Sequence, residues 1–133
     1  MNSLASTDLT GEQKAGLEGH LKGLDAKGAD DFFNVNKYPT ATFTITNVVP
    51  STTIPDANVS ITGNLKMKAT EKSITFPASV VMLGDKVNAV TPSFKINRTE
   101  WGINYGSKTV FNDLKDKFIN DDIALNILIE ANK

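Results

Sequence analysis

From Pro39 onward the chain alternates apolar and polar residues with a period of two, which a helix, repeating every 3.6 residues, cannot gather onto one face. Ala41, Phe43 and Ile45 alternate with Thr42, Thr44 and Thr46, and Val59, Ile61, Gly63, Leu65 and Met67 alternate with Ser60, Thr62, Asn64, Lys66 and Lys68. Successive side chains of a strand leave opposite faces, so each run carries one dry side and one wet side. Residues 73–83 and 86–97 are two further strand-like runs joined at Gly84-Asp85, a pair suited to a tight hairpin turn. Ile123, Leu125, Ile127 and Ile129 form a last alternating strand, and residues 50–56, a polar stretch with two prolines, separate the first two.

Helical signals are confined to two places. Thr10-Gly11-Glu12-Gln13 has the spacing of a capping box, in which a hydroxyl satisfies a free N–H of the first turn and the Gln side chain answers back. A helix is predicted over residues 11–22, with Leu17, Leu21 and Leu24 in one apolar stripe and Gly23 and Gly28 ending it, leaving residues 23–29 as a loop. Asp30-Asp31-Phe32-Phe33 has the make-up of a further short turn of helix, its carboxylates at the positive end of the dipole. Late in the chain, Phe111, Leu114 and Phe118 fall at helical spacing, with Asp113 and Lys117 as an i,i+4 pair on another face. Antiparallel strands joined in sequence, with two short helical segments, predict a mainly β fold, a curved sheet or barrel rather than a βαβ unit.

A chain of 133 residues with 40% hydrophobic content suits a single domain spanning residues 1–133. Fourteen Lys and Arg against fifteen Asp and Glu leave a net charge of -1, so no basic surplus exists to condense onto nucleic acid. With no cysteine, disulfides and thiolate chemistry are excluded, but the compartment stays open. No apolar run is long enough for a membrane-spanning helix, and residues 1–12 lack both the basic and the apolar regions of a signal peptide.

Several segments in order resemble the YceI family. They are Gly19-His20-Leu21-Lys22, Asp31-Phe32-Phe33-Asn34-Val35 and Lys37-Tyr38-Pro39-Thr40-Ala41-Thr42-Phe43, followed by the stretch from Gly63-Asn64-Leu65-Lys66-Met67 to Ser73-Ile74-Thr75-Phe76-Pro77. Phe94-Lys95-Ile96-Asn97-Arg98-Thr99-Glu100-Trp101-Gly102-Ile103 and the closing strand of residues 123–131 complete the set. The resemblance implies an antiparallel lipocalin-like β-barrel around a hydrophobic tunnel, a long-chain lipid or isoprenoid as partner, and a periplasmic or secreted location for the intact protein. Three departures stand out. The family's N-terminal strands are missing before the segment like Met1-Asn2-Ser3-Leu4, so the barrel reads as incomplete or completed by oligomerisation. Residues 23–29 replace about one residue, and Ala69 stands where the family has Gly.

The face expected to turn inward carries Phe43, Ile45, Ile61, Leu65, Met67, Phe76, Phe94, Ile96, Ile123, Leu125 and Ile127, with Phe33, Trp101 and Ile103 near an end. Alternation alone leaves open whether this face is filled by its own side chains or lines a ligand tunnel. Arg98, at the end of an apolar strand, is a candidate contact for a lipid head group, beside the plainer role of pairing with Glu100 or a backbone carbonyl. His20 is the only histidine, a poor basis for a metal site, and a structural hydrogen bond is its expected role. No catalytic constellation, metal site or cofactor motif emerges: residues 102–108 lack the ending of a phosphate loop, and the acidic pairs suit caps and turns. Two functions follow. One is non-enzymatic binding, transport or sequestration of a polyisoprenoid or fatty-acyl lipid. The other is a structural or assembly protein whose apolar face is filled by side chains or a partner chain. Unpaired strand edges predict a homodimer or strand-exchanged oligomer.

Overall fold

The alternating runs become strands in the computed structural model, which describes residues 1–113 and 118–132. Strands β1 (Thr42–Pro50), β2 (Val59–Met67), β3 (Thr70–Leu83), β4 (Lys86–Val90), β5 (Phe94–Asn97), β6 (Asp122–Leu125) and β7 (Leu128–Asn132) follow one helix, α1 (Gly11–Lys22). Five of them form a sheet in the order β1-β2-β3-β4-β7, and β5 pairs with β6. The fold is mainly β with antiparallel sheets, as expected, but among the described residues no barrel closes, and the larger sheet ends at β1 and β7.

Turn chemistry sets the register. Leu83 pairs with Lys86 across the Gly84-Asp85 turn, and the antiparallel ladder runs on to Ser79 opposite Val90. Between β2 and β3 the left-handed residue is Lys68, at φ 52°, rather than Ala69, so the turn places its positive φ one position before the site where a glycine was expected.

Two expected strands are broken rather than continuous. The run over residues 86–97 stops at Val90 and resumes at Phe94, and the last strand is interrupted between Leu125 and Leu128. Pro92 has no N–H for a ladder and ends the pairing there. Thr91 fastens the corner: its N–H donates to the Ile127 carbonyl at 3.0 Å, and its hydroxyl accepts from the Ile127 N–H at 2.9 Å. Residues 91–93 on one side thus face 126–127 on the other, one extra residue in the manner of a β-bulge, which bends an antiparallel ribbon.

Helix α1 covers the predicted residues, but Thr10 makes no side-chain cap, so the capping box does not form. Gly23 ends it at φ 69°, its N–H reaching the His20 carbonyl and that of Leu24 the Gly19 carbonyl. Leu24 therefore lies beyond the helix, and it and Leu17 are exposed, so the predicted apolar stripe is not buried. Asp30 to Phe33 form turns rather than helix, and the described residues from Lys108 to Asp113 form two turns with Phe111 between them and no helix; Leu114 and Lys117 lie outside the described residues. A 3-10 turn at Arg98–Trp101 supplies the second short helical segment instead.

The chain forms two compact units, each assembled from separated stretches. One comprises Met1–Thr42, Lys66–Lys72 and Asn97–Asp121, and buries Phe32, Val35, Met67, Trp101 and Ile103. The other comprises Phe43–Leu65, Ser73–Ile96 and Asp122–Lys133; Ile61, Phe76 and Ala78 form its core, with Phe43, Val59, Ile74, Val80, Phe94 and Ile127 packed against them.

Candidate ligand cavity

Period-two alternation puts Phe43 and Ile45 of β1, Ile61 and Leu65 of β2, and Ile74, Phe76 and Ala78 of β3 on one face of the strand-rich unit. Gly63 leaves room on that face for the Phe43 ring, which lies where a side chain on Gly63 would stand. A Cβ there would meet the ring and sit 2.6 Å from the Thr44 carbonyl oxygen. Phe43 reaches Phe76 at 5.4 Å between ring centroids, and Phe76 stacks on Phe94 at 4.6 Å. Beside these rings lies a cavity of about 200 Å³, walled also by Ala89, Thr91, Leu125, Ile127 and Ile129. Its lining holds no ionisable side chain. Ile45 and Ile129 in the wall are 56% and 51% exposed, so apolar surface continues from the cavity toward solvent.

Of the residues expected to face inward, Phe43, Ile45, Ile61, Leu65, Phe76, Phe94, Leu125 and Ile127 meet at this cavity. Ile96 is buried in the same unit without lining it, and Ile123 is half-buried there. Met67, Trp101 and Ile103 belong to the core of the other unit, where Phe33 is half-buried. Ile74, Ala78, Ala89, Thr91 and Ile129 line the cavity without having been singled out in the sequence. Ile74 and Ala78 flank Phe76 at i±2, and Ile129 follows Ile127 at i+2, so strict extension of the alternation finds them. Ala89 carries too little apolar surface to stand out, and it is placed by its register opposite Val80 and Ile129.

Arg98 lies elsewhere, 1% exposed in the unit that holds α1. Its guanidinium donates to the carbonyls of Asn120 at 3.0 Å, Ile103 at 2.7 Å and Ile119 at 3.0 Å, and pairs with Asp121 at 3.4 Å. A fork so occupied and buried is out of reach of a head group; Arg98 ties backbone segments together, with Asp121 rather than Glu100 as counter-ion. Burial pushes the guanidinium pKa down and Asp121 opposes that push. The Asp121 carboxyl is held below the ordinary carboxylate range by the Thr109 hydroxyl first, then by that of Ser107 and by Arg98. His20 packs its ring against Tyr105 at 4.9 Å and Phe32 at 5.4 Å, with Nε2 3.6 Å from the Asp31 carboxylate, a contact too long for the expected hydrogen bond. Among the described residues no group of three or more potential ligands for a metal occurs.

A family model of the YceI-like domain matches residues 1–131. The chain belongs to the YceI-like family. Its sheets fit the lipocalin-like fold of solved family structures. It is 26% identical to the YceI protein of Campylobacter jejuni, with a TM-score of 0.62 over 89% of this chain and 63% of that one. BcnA of Burkholderia cenocepacia shares the fold at 22% identity and a TM-score of 0.60, over 76% of this chain and 58% of that one. The YceI-like chain thus spans less than two thirds of the length of these solved relatives. No curated protein matches it.

Proposed function

We propose that this YceI-like protein binds and carries or sequesters a long apolar ligand of the polyisoprenoid or fatty-acyl class, without catalysing a reaction. The observation that carries the reading is the cavity of about 200 Å³ with a predominantly apolar wall in the strand-rich unit. A wall without acids or bases, whose one hydroxyl, that of Thr91, is engaged with the Ile127 N–H, favours retention over chemistry. Membership of a lipocalin-like family points the same way, and a periplasmic site of action belongs to the same proposal.

Magnitudes constrain the ligand. Burying on the order of ten methylenes contributes about 8 kcal/mol, and association costs about 4–15 kcal/mol. A ligand confined to this volume therefore binds weakly. A longer chain that continues over the exposed Ile45 and Ile129 gains further burial. Organic extraction and native mass spectrometry of the purified protein test the proposal, together with uptake of a fluorescent long-chain probe. Protein that carries no lipid and takes up no probe overturns it.

A second reading, assembly of copies through strand edges, is favoured by β7. Every residue of this edge strand is exposed and Leu128 is 71% exposed, so its outer rim offers unpaired backbone groups beside apolar surface. A homodimer or strand-exchanged oligomer is its consequence. Sedimentation as a monomer at micromolar concentration would refute it.

A further inference from the structure

We infer that Lys37, Lys66 and Lys68, with Tyr38, Thr40 and Thr42, form a binding site for a phosphoryl-type oxyanion, independent of the apolar cavity. These side chains line a depression of about 510 Å³ in the unit that holds α1, and no carboxylate lies in its wall. The chain as a whole carries a net charge of -1, so a wall of three ammonium groups is a local concentration and not a sample of a basic surface.

The geometry is prepared rather than loose. Lys68 holds a left-handed backbone conformation, φ 52°, which L residues other than glycine adopt at a cost. Its side chain is only 11% exposed, and its ammonium donates to the Asp30 carbonyl at 3.0 Å with the Asp30 carboxylate at 3.9 Å. This anchor fixes the turn that directly follows β2, and Lys66, the penultimate residue of that strand, lines the depression as well. Lys37 also lines the depression, its ammonium 5.2 Å from the centre of the Tyr38 ring. Asp30 offsets one of the three cations, leaving about two positive charges for the guest, which matches a phosphoryl dianion better than a carboxylate. The hydroxyls of Thr40, Thr42 and Tyr38 are suited to donate to its oxygens.

The source of such a group is either a soluble phosphate or the phosphorylated head of a lipid, and two arms of one experiment separate them. In the first, the isotope-labelled protein is titrated with inorganic phosphate at constant ionic strength and followed by amide NMR. Saturable shifts clustered at Thr40, Thr42, Lys66 and Ala69 are expected. They should weaken at least tenfold in Lys37→Gln/Lys66→Gln, recover in Lys37→Arg/Lys66→Arg, and persist in Lys86→Gln, whose lysine lies in the strand-rich unit. In the second arm, phosphatidylcholine vesicles with and without phosphatidic acid are tested for co-sedimentation. Phosphatidic-acid-dependent binding that inorganic phosphate competes away assigns the site to a lipid head, whereas phosphate binding without vesicle binding assigns it to a soluble ligand. Shifts that do not saturate, or that are equal in the folded double Gln variant, overturn the inference. Loss of lipid extraction leaves this site standing, because its readout is phosphate.

Discussion

Gly63 lacks a side chain because Phe43 occupies the space: the ring crosses over β2 and delivers its edge to Phe76. A glycine inside a strand is unfavourable by about 0.5–1 kcal/mol relative to alanine, so its presence marks a packing demand. Gly63→Ala is expected to lower stability in urea denaturation by about 1–3 kcal/mol, despite alanine's better intrinsic propensity, and to detach the Phe43 ring from the cavity wall. A stabilised variant would show that the close approach is not needed. Asp121 makes a different kind of demand. Its pKa is depressed in the folded state by Thr109, Ser107 and Arg98, so the stability it confers is fully present above the unfolded carboxylate pKa, about 3.9, and is lost as pH falls through the lower folded value. Asp8, Glu18 and Asp30 are depressed too and give the protein a general acid sensitivity. Asp121→Asn is therefore expected to melt lower at neutral pH yet to lose less between pH 5 and 2, checked by thermal melts followed by circular dichroism. Equal slopes in the two proteins would refute that role.

Elements were legible where a local signal was sufficient and illegible where tertiary pairing decided. The limits of β2 follow from alternation alone, and Gly84-Asp85 announces its hairpin, since register there is set within a few residues. The corner between β4 and β5 carries visible marks in Pro92 and in a shift of the apolar positions from odd, Val87 and Ala89, to even, Phe94 and Ile96, but neither mark names the new partner strand. What holds that corner is Thr91, 6% exposed, whose hydroxyl is the acceptor for the Ile127 N–H. Nothing in the sequence distinguishes this threonine from those on wet strand faces, because its partner lies 36 residues away. Thr91→Val keeps the volume and removes the acceptor, leaving a partly buried N–H without this partner at a cost of about 1 kcal/mol. Hydrogen exchange at the Ile127 amide should accelerate in the variant ahead of amides in β3. Unchanged protection there would mean that the Thr91 hydroxyl does not hold the bend.

At the scale of the whole molecule, the candidate site was half legible for a geometric reason. A period of two says which side of a strand a residue faces but not how far along the strand the core ends. Met67 thus shares the face of Leu65 yet falls in the other compact unit, while Trp101 and Ile103 serve that unit's core. The cavity arises where large residues give way to small ones, at Ala78 and Ala89, a deficit of side chain that hydrophobic scoring passes over. The same deficit yields the sharpest test of the carrier reading. Ala78 is 1% exposed, and enlarging it would disturb the core, whereas Ala89 is only half-buried, and Ala89→Phe adds a ring to the wall with room to turn. If an apolar chain threads the cavity, each methylene moved from water contributes up to about 0.8 kcal/mol, roughly fourfold in affinity. A series of fatty-acyl probes of increasing length should then bind progressively tighter to the unmodified protein, reaching a plateau where the chain outruns the apolar surface. In the place of Ala89 a phenylalanine should shift the plateau to shorter chains and weaken the longest probe at least tenfold, with little change in the melting temperature. Because the wall holds no ionisable group, neither curve should move between pH 6 and 8 for an uncharged probe. Affinity independent of chain length, or unaltered by the added ring, would place the ligand somewhere other than this cavity.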